Sequence, residues 1–126
     1  MTEYQGSERR RGGPDRRTES FERVRILIVD DHALFRVGIR GILQQEPDLE
    51  IVGEADDPRS ALDAAFSTNP DVILMDLSLP APGGIETTQR IRRELPATAI
   101  VVLATDEDEE ALFDAIKAGA AAFILK

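Results

Sequence analysis

Five short apolar segments follow Arg25, and longer segments of mixed character separate them. They are RILIVDD (25–31), LEIVGEA (49–55), DVILMDL (71–77), TAIVVLA (98–104) and AAFIL (121–125). Their apolar residues mostly stand in succession rather than at every second position, so we predict strands that are buried on both faces.

Each segment between two predicted strands has the period of an amphipathic helix. The first, residues 32–46, places Phe35, Ile39, Ile42 and Leu43 on one face, and Pro47 is expected to mark its end. The second begins with Asp57 as a candidate N-cap and Pro58 at the first helical position. The third covers residues 85–95.

The fourth predicted helix opens with five consecutive acids, Asp106 to Glu110. Acidic side chains complement the positive end of a helix dipole, and Asp106 can act as an N-cap. We therefore interpret this run as the first turn of a helix rather than as a metal site.

Strands that alternate with helices predict a parallel sheet with right-handed crossovers. The expected fold class is α/β, a doubly wound five-stranded parallel sheet. Such sheets carry their sites at the carboxyl ends of the strands.

Charged side chains stand at three of these ends. Asp30 and Asp31 follow strand one, Asp76 ends strand three, and Lys126 follows strand five. Carboxylates that converge repel each other unless a cation lies among them, and oxygen ligands favour Mg²⁺. A carboxylate beside Mg²⁺ and a lysine is suited to receive a phosphoryl group.

Composition narrows the functional classes. The net charge is −9, yet residues 1–25 hold seven Arg against five acids, and the remainder is strongly acidic. We predict that residues 1–23 form a disordered Arg-rich tail and that residues 24–126 form one domain, a poor nucleic-acid binder by itself. The chain has no Cys and no apolar run long enough to span a membrane, which fits a cytoplasmic location.

Four spaced motifs make the chain resemble the receiver domain of bacterial two-component response regulators, most closely the NarL/FixJ type. They are ILIVDDHALFRVGI, EPDLEIVGEA, DVILMDLSLPAPGGIE and AGAAAFILK. The resemblance covers residues 24–126 and implies a flavodoxin-like (CheY-like) fold.

The resemblance also implies roles for individual residues. Asp76 corresponds to the phospho-acceptor and Lys126 to the lysine that contacts the phosphoryl group. Asp30 and Asp31 correspond to the acidic pair that holds Mg²⁺, with Asp76 and the backbone carbonyl of Ser78 completing the metal shell.

Further positions match the family pattern around this site. Phe123 corresponds to the aromatic switch residue, and Pro80 and Gly84 fit the loop after the acceptor, where Gly84 is expected at a point that tolerates no Cβ. His32, the only histidine, is not expected to be a ligand.

Ala104 departs from the family pattern, which places a Thr or Ser at the end of strand four. Counting eight residues from Pro96 and fifteen back from Gly119 both lead to Ala104. Thr105 could replace the missing hydroxyl only if the strand end is bulged or the following loop is one residue shorter, because neighbouring strand residues face opposite sides. We therefore expect phosphorylation at Asp76 with weakened coupling to Phe123.

The family's fifth helix is missing, so we expect a receiver domain truncated after strand five and cut from a longer regulator. The resemblance implies a cognate sensor histidine kinase, a homodimer, and DNA binding only through an output domain that this chain does not contain. It implies a signalling switch rather than an enzyme.

The sequence also bears on three alternative functions. A haloacid-dehalogenase-like phosphohydrolase needs a second Asp two residues after the nucleophile, where this chain has Ser78. An FMN-binding flavodoxin needs a Ser/Thr/Gly loop after strand one, where DDHALF is acidic. A receiver that works by protein contact without phosphorylation stays open because of Ala104.

Overall fold

The computed structural model describes residues 22–105 and 109–126. The strands are β1 (Val24–Val29), β2 (Leu49–Ala55), β3 (Val72–Asp76), β4 (Ala99–Ala104) and β5 (Ala122–Leu125). The helices are α1 (Ala33–Leu43), α2 (Pro58–Thr68), α3 (Gly83–Glu94) and α4 (Glu109–Lys117). Strands and helices thus alternate as the sequence predicts.

The five strands form one parallel sheet in the order β2-β1-β3-β4-β5. The chain reverses its direction of winding after β2, which places β1 and β3 side by side at the point where ligands bind in such sheets. The predicted doubly wound parallel sheet is confirmed.

The main core lies between the sheet and three helices. Leu27, Val29, Ile73, Met75, Ile100 and Val102 from the strands pack with Ala61 and Ala65 of α2, Ile91 of α3 and Ala115 of α4. Alternate strand residues such as Ile26 and Ile28 are also buried and face the opposite side, where α1 lies. β1 is therefore buried on both faces, as its apolar sequence predicts, whereas Leu74 of β3 and Val101 of β4 stay partly exposed on the second face.

Local chemistry fixes the start and the end of α2. The Asp57 carboxylate accepts a hydrogen bond from the Ser60 N–H at 2.7 Å, and the Ser60 hydroxyl oxygen accepts one from the Asp57 N–H. Together they form a capping box, with Pro58 inside the first turn. The helix ends at Asn69, which adopts a left-handed conformation with φ 50°. The predicted N-cap is confirmed.

The prediction for α1 is wrong in two respects. The helix ends at Leu43, before Pro47, because the Glu46 N–H bonds to the Leu43 carbonyl in a turn that leads the chain into β2. Ile42, predicted on the inner face, is 64% exposed. Within the described residues α1 packs mainly on β2, an edge strand, so only part of its apolar face is covered.

Two predicted features lie outside the described residues. These are most of the Arg-rich segment 1–23, of which only residues 22 and 23 are described, and the proposed N-cap Asp106 with the two residues after it. No helix in the described part of the chain has the length and apolar character needed to cross a membrane.

Candidate functional site

The sheet brings the predicted site residues to one edge. Val29 of β1 pairs with Met75 of β3, so Asp30 and Asp76 are the next residues of two adjacent strands. Both carboxylates are fully buried. Lys126 follows β5 on the other side of β4, and its long side chain reaches back to both acids.

Four residues offer ligand atoms that all lie within 4.8 Å of one another: Asp30, Asp31, His32 and Asp76. His32 Nδ1 lies 3.1 Å from Asp30 Oδ1, 3.2 Å from Asp31 Oδ1 and 3.8 Å from Asp76 Oδ2. The imidazole thus lies beside the three carboxylates, although more than half of its surface is exposed.

Both carboxylate oxygens and the backbone carbonyl of Asp30 have close polar neighbours. Its Oδ1 accepts the His32 N–H at 2.8 Å, and its Oδ2 lies 2.7 Å from Lys126 Nζ. Its backbone carbonyl accepts a hydrogen bond from Arg36 of α1 at 2.5 Å, and Glu54 of β2 lies 3.3 Å from the same guanidinium. These contacts fix the β1–α1 loop that carries the acids.

The two oxygens of Asp76 have different surroundings. Oδ1 accepts hydrogen bonds from the Ser78 N–H at 3.0 Å and the Ser78 hydroxyl at 2.9 Å, whereas Oδ2 is buried and accepts none from the described residues. Burial raises the pKa of Asp76, but the Ser78 hydrogen bonds and the Lys126 charge outweigh it, so the pKa lies below its ordinary value. The lowered pKa makes Asp76 a carboxylate at neutral pH, and within the described residues its Oδ2 is buried without a hydrogen bond.

Lys126 is the positive charge of the site, and its side chain is only 8% exposed. Nζ lies 3.4 Å from Asp76 Oδ1 and 4.5 Å from the centroid of the Phe35 ring. A hydrogen bond of 2.6 Å from the Lys126 N–H to the Ala104 carbonyl anchors the backbone of this residue to the end of β4.

The residues fit a divalent cation with hard oxygen ligands. Three carboxylates meet near one point while Lys126 supplies a single positive charge, and Asp76 Oδ2 is buried without a hydrogen bond from the described residues. A cation among these oxygens would relieve their mutual repulsion. Ser78 contacts the site through its N–H and hydroxyl, and a metal-binding role for its carbonyl stays a prediction.

Gly84 lies directly against the backbone of Asp76 and Leu77. A Cβ at this position would overlap the Asp76 carbonyl oxygen and would lie 2.8 Å from Leu77 Cα. Only glycine lets the start of α3 pack against the end of β3 at this distance, in agreement with the prediction that this point tolerates no Cβ. Pro80 lies exposed in the preceding loop.

The three predicted switch residues occupy distinct places. Ala104 is the last residue of β4 and pairs with Leu125 in an uninterrupted register, whereas Thr105 follows the strand and is exposed. Phe123 pairs with Val102, two residues before Ala104, so Phe123 and Ala104 face the same side of the sheet. The strand end has no bulge that would place Thr105 in the position of Ala104.

Three residues that contact the predicted site residues were not themselves predicted as part of the site. One of them, His32, directly follows two acids in the sequence, which was a signal for its proximity, and the expectation that it is not a ligand stays a prediction. Phe35 was assigned only to the apolar face of α1, and Arg36 was not singled out. The contacts of Phe35 with Lys126 and of Arg36 with Asp30 and Glu54 join residues of separate elements, which no local pattern reports.

Comparisons with known proteins agree with this geometry. The family model of the response regulator receiver domain matches residues 26–126. The transcriptional regulatory protein LiaR of Bacillus subtilis is 41% identical over 82% of this chain and 49% of its own length. The nitrate/nitrite response regulator protein NarL of Escherichia coli is 37% identical over 80% of this chain and 47% of its own.

A solved structure is similar along most of its length. The signal receiver domain of the putative response regulator NarL from Mycobacterium tuberculosis superposes with a TM-score of 0.79 at 33% identity, over 82% of this chain and 84% of that one. The chain spans about half the length of the curated relatives it matches.

Proposed function

Because this chain belongs to the response regulator receiver domain family, we propose that it is the phospho-accepting switch of a two-component system. Asp76 receives a phosphoryl group from a sensor histidine kinase, with Mg²⁺ as the cofactor. The observation that carries the proposal is Asp76 itself: buried, ionised, next to Lys126, and with Oδ2 free of hydrogen bonds from the described residues.

Asp76 forms the new bond to phosphorus through one of its carboxylate oxygens, while the Ser78 N–H and hydroxyl hold the carboxylate in place by two hydrogen bonds to Oδ1. As this bond forms, the bond between phosphorus and the donor's imidazole nitrogen breaks, and that nitrogen keeps the electron pair and takes up a proton. Lys126 Nζ neutralises charge on the transferring oxygens.

Asp30, Asp31 and Asp76 would hold the metal, with the Ser78 carbonyl as a further ligand. When bound, Mg²⁺ supplies positive charge next to the transferring phosphoryl oxygens. In its absence Lys126 alone offsets the buried carboxylates, which limits how closely an anionic donor can approach.

The partners follow from the family and from the relatives, which are named as transcriptional regulators. We propose that phosphorylation controls the formation of a cytoplasmic homodimer. DNA is then bound by an output domain outside residues 24–126. In this scheme the domain transmits a signal and is not an enzyme with a substrate of its own.

Ala104 favours a second candidate function, that of a receiver regulated by protein contact without phosphorylation. Its side chain ends β4 on the same face as Phe123, where this family's switch uses a hydroxyl. In this alternative the fold and Asp76 persist, while the state of Phe123 no longer depends on Asp76.

Incubation with Mg²⁺ and a small-molecule phosphodonor, followed by mass spectrometry, tests the main proposal. We expect the wild type to gain one phosphoryl group and Asp76→Asn to gain none. Asp63→Asn is the matched control, because Asp63 is an exposed acid on α2 away from the site. Absence of any gain in the wild type would favour the contact-regulated alternative.

A further inference from the structure

We propose that Phe35 is a positioning residue for Lys126: its ring holds the ammonium over the two buried carboxylates. This role rests on the proposed phosphoryl transfer to Asp76 and extends it to a residue of α1 that does not touch the transferring group.

The Lys126 ammonium contacts two carboxylates and one aromatic ring. Nζ lies 2.7 Å from Asp30 Oδ2, 3.4 Å from Asp76 Oδ1 and 4.5 Å from the centre of the Phe35 ring. This distance is within the range of cation–π attraction, which strengthens when the cation is shielded from water. The lysine side chain is 8% exposed, so this condition is met.

An aromatic ring suits this position chemically. A lysine has a flexible stem and three N–H donors, and a polar neighbour would compete for those donors. The face of a phenyl ring attracts the charge without accepting a conventional hydrogen bond. Phe35 can therefore hold Nζ in place and leave its N–H groups to Asp30, Asp76 and an incoming phosphoryl oxygen.

The ring stands on α1, directly after the loop that carries Asp30 and Asp31. Phe35 lies in the first turn of α1, and the next residue, Arg36, binds the Asp30 carbonyl. Lys126, in contrast, follows β5. The Phe35–Lys126 contact thus joins the β1–α1 loop to the end of β5 across the site.

The chain offers a matched control, because it has two lysines and each lies over a phenylalanine. Lys117 Nζ is 5.3 Å from the ring of Phe113 on α4, and Phe113 is 63% exposed. Phe113→Leu therefore removes a similar contact away from the carboxylates, while Phe35→Leu removes the one at the site.

The experiment follows the two lysine ε-methylene signals by NMR in protein with ¹³C-labelled lysine, together with the phosphorylation rate and Mg²⁺ affinity. We expect Phe35→Leu to move only the Lys126 signal and to slow phosphorylation by roughly 2- to 30-fold, the range of a cation–π contact. Mg²⁺ affinity measured by calorimetry should stay unchanged. Phe35→Tyr should keep the wild-type rate, and Phe113→Leu should move only the Lys117 signal.

Phe35→Met serves as a second ring-free variant if Phe35→Leu does not fold. A wild-type rate in a folded ring-free variant overturns the role of Phe35 and leaves the proposed function intact. An equal loss of rate in Phe35→Tyr overturns it too, since the ring would then not be the cause. A wild type that takes up no phosphoryl group overturns the proposed function itself, and this role with it.

Discussion

Ala104 is the residue at which this chain differs most clearly from the expected switch. It ends β4 with a methyl group that is 8% exposed, on the same side of the sheet as Phe123. We predict that Ala104→Thr strengthens phosphorylation-dependent dimerisation, because a hydroxyl here can bond to a phosphoryl oxygen. A net hydrogen bond of about 0.5–1.5 kcal/mol corresponds to a change of roughly 2- to 12-fold in the dimer equilibrium.

Sedimentation of phosphorylated and unphosphorylated protein measures this change. Ala104→Val is the matched control, because valine has the shape of threonine without the hydroxyl. The hypothesis fails if Val has the same effect as Thr, or if the wild type already dimerises on phosphorylation as strongly as the Thr variant.

At the scale of single residues, the sequence predicts which charged residues meet at the site better than it predicts the residues that contact them. Asp30, Asp76 and Lys126 stand directly after apolar runs, and parallel strands bring such positions together whatever the details of packing. His32 lies beside the acids because it follows them directly in the sequence, whereas Phe35 reaches Lys126 only through the tertiary arrangement of α1 and β5. A single sequence therefore indicates the first contact and not the second.

Among the helices, two glycines with opposite surroundings give a second prediction. Gly38, inside α1, has nothing within 4 Å of an added Cβ, whereas a Cβ at Gly84 meets the backbone of Asp76 and Leu77. Gly38→Ala should raise the free energy of unfolding by about 0.5–1 kcal/mol. Gly84→Ala should lower it by about 1–3 kcal/mol and also slow phosphorylation, because the acceptor's backbone must shift.

Denaturant unfolding at neutral pH measures both changes. Equal effects of the two substitutions would contradict the close approach of α3 to β3. An unchanged phosphorylation rate in a destabilised Gly84→Ala protein would show that the close packing of α3 on β3 affects stability alone.

The cap of α2 gives a prediction on pH. Hydrogen bonds from Ser60, first from its backbone N–H, lower the pKa of Asp57 from its ordinary value of 3.8. The folded protein thus holds the proton less tightly than the unfolded chain, so the stability from Asp57 is present above pH 3.8 and is lost as the pH falls through the lower folded pKa.

We expect Asp57→Asn to keep most of the stability at pH 7, because Asn caps helices about as well as Asp, and to lose less of it than the wild type as the pH falls from 7 to below 3.8. Asp57→Ala should be less stable than both at pH 7. Urea unfolding across this range measures the three profiles. A profile of Asp57→Asn parallel to that of the wild type would rule out the carboxylate as the source of the acid sensitivity.

The contrast between α2 and α1 shows why some helix boundaries are predictable. The cap of α2 is local, since Asp57, Pro58 and Ser60 are close in sequence and act on one another. The end of α1 depends on the turn that leads into β2, and the exposure of Ile42 depends on what α1 packs against. Patterns of period 3.6 identify an apolar face but do not tell which part of it is covered.

At the scale of the whole molecule, we expect the clustered acids of the site to lower the free energy of unfolding when no cation is bound. The chain carries a net charge of −9, and Asp30, Asp31 and Asp76 lie together beside Lys126, the exposed His32 and, at the Asp30 backbone, Arg36. Like charges at this distance destabilise the fold when no cation offsets them. A bound cation, in turn, stabilises the folded state by mass action, by about 2.7 kcal/mol at a hundred times its Kd.

We therefore predict that Asp31→Asn raises the melting temperature in EDTA and diminishes the rise that Mg²⁺ produces in the wild type. Asp31 is the test position because its side chain is 35% exposed, so the substitution removes a charge and leaves no buried partner of Lys126 unpaired. Asp63→Asn makes the same change of net charge at an exposed position of α2 and should alter neither the melting temperature in EDTA nor the rise produced by Mg²⁺. This control distinguishes repulsion within the site from an effect of the total charge. Thermal unfolding of the three proteins in EDTA and in Mg²⁺ decides the matter, and a lower melting temperature of Asp31→Asn in EDTA would mean that the acidic cluster is not under repulsion.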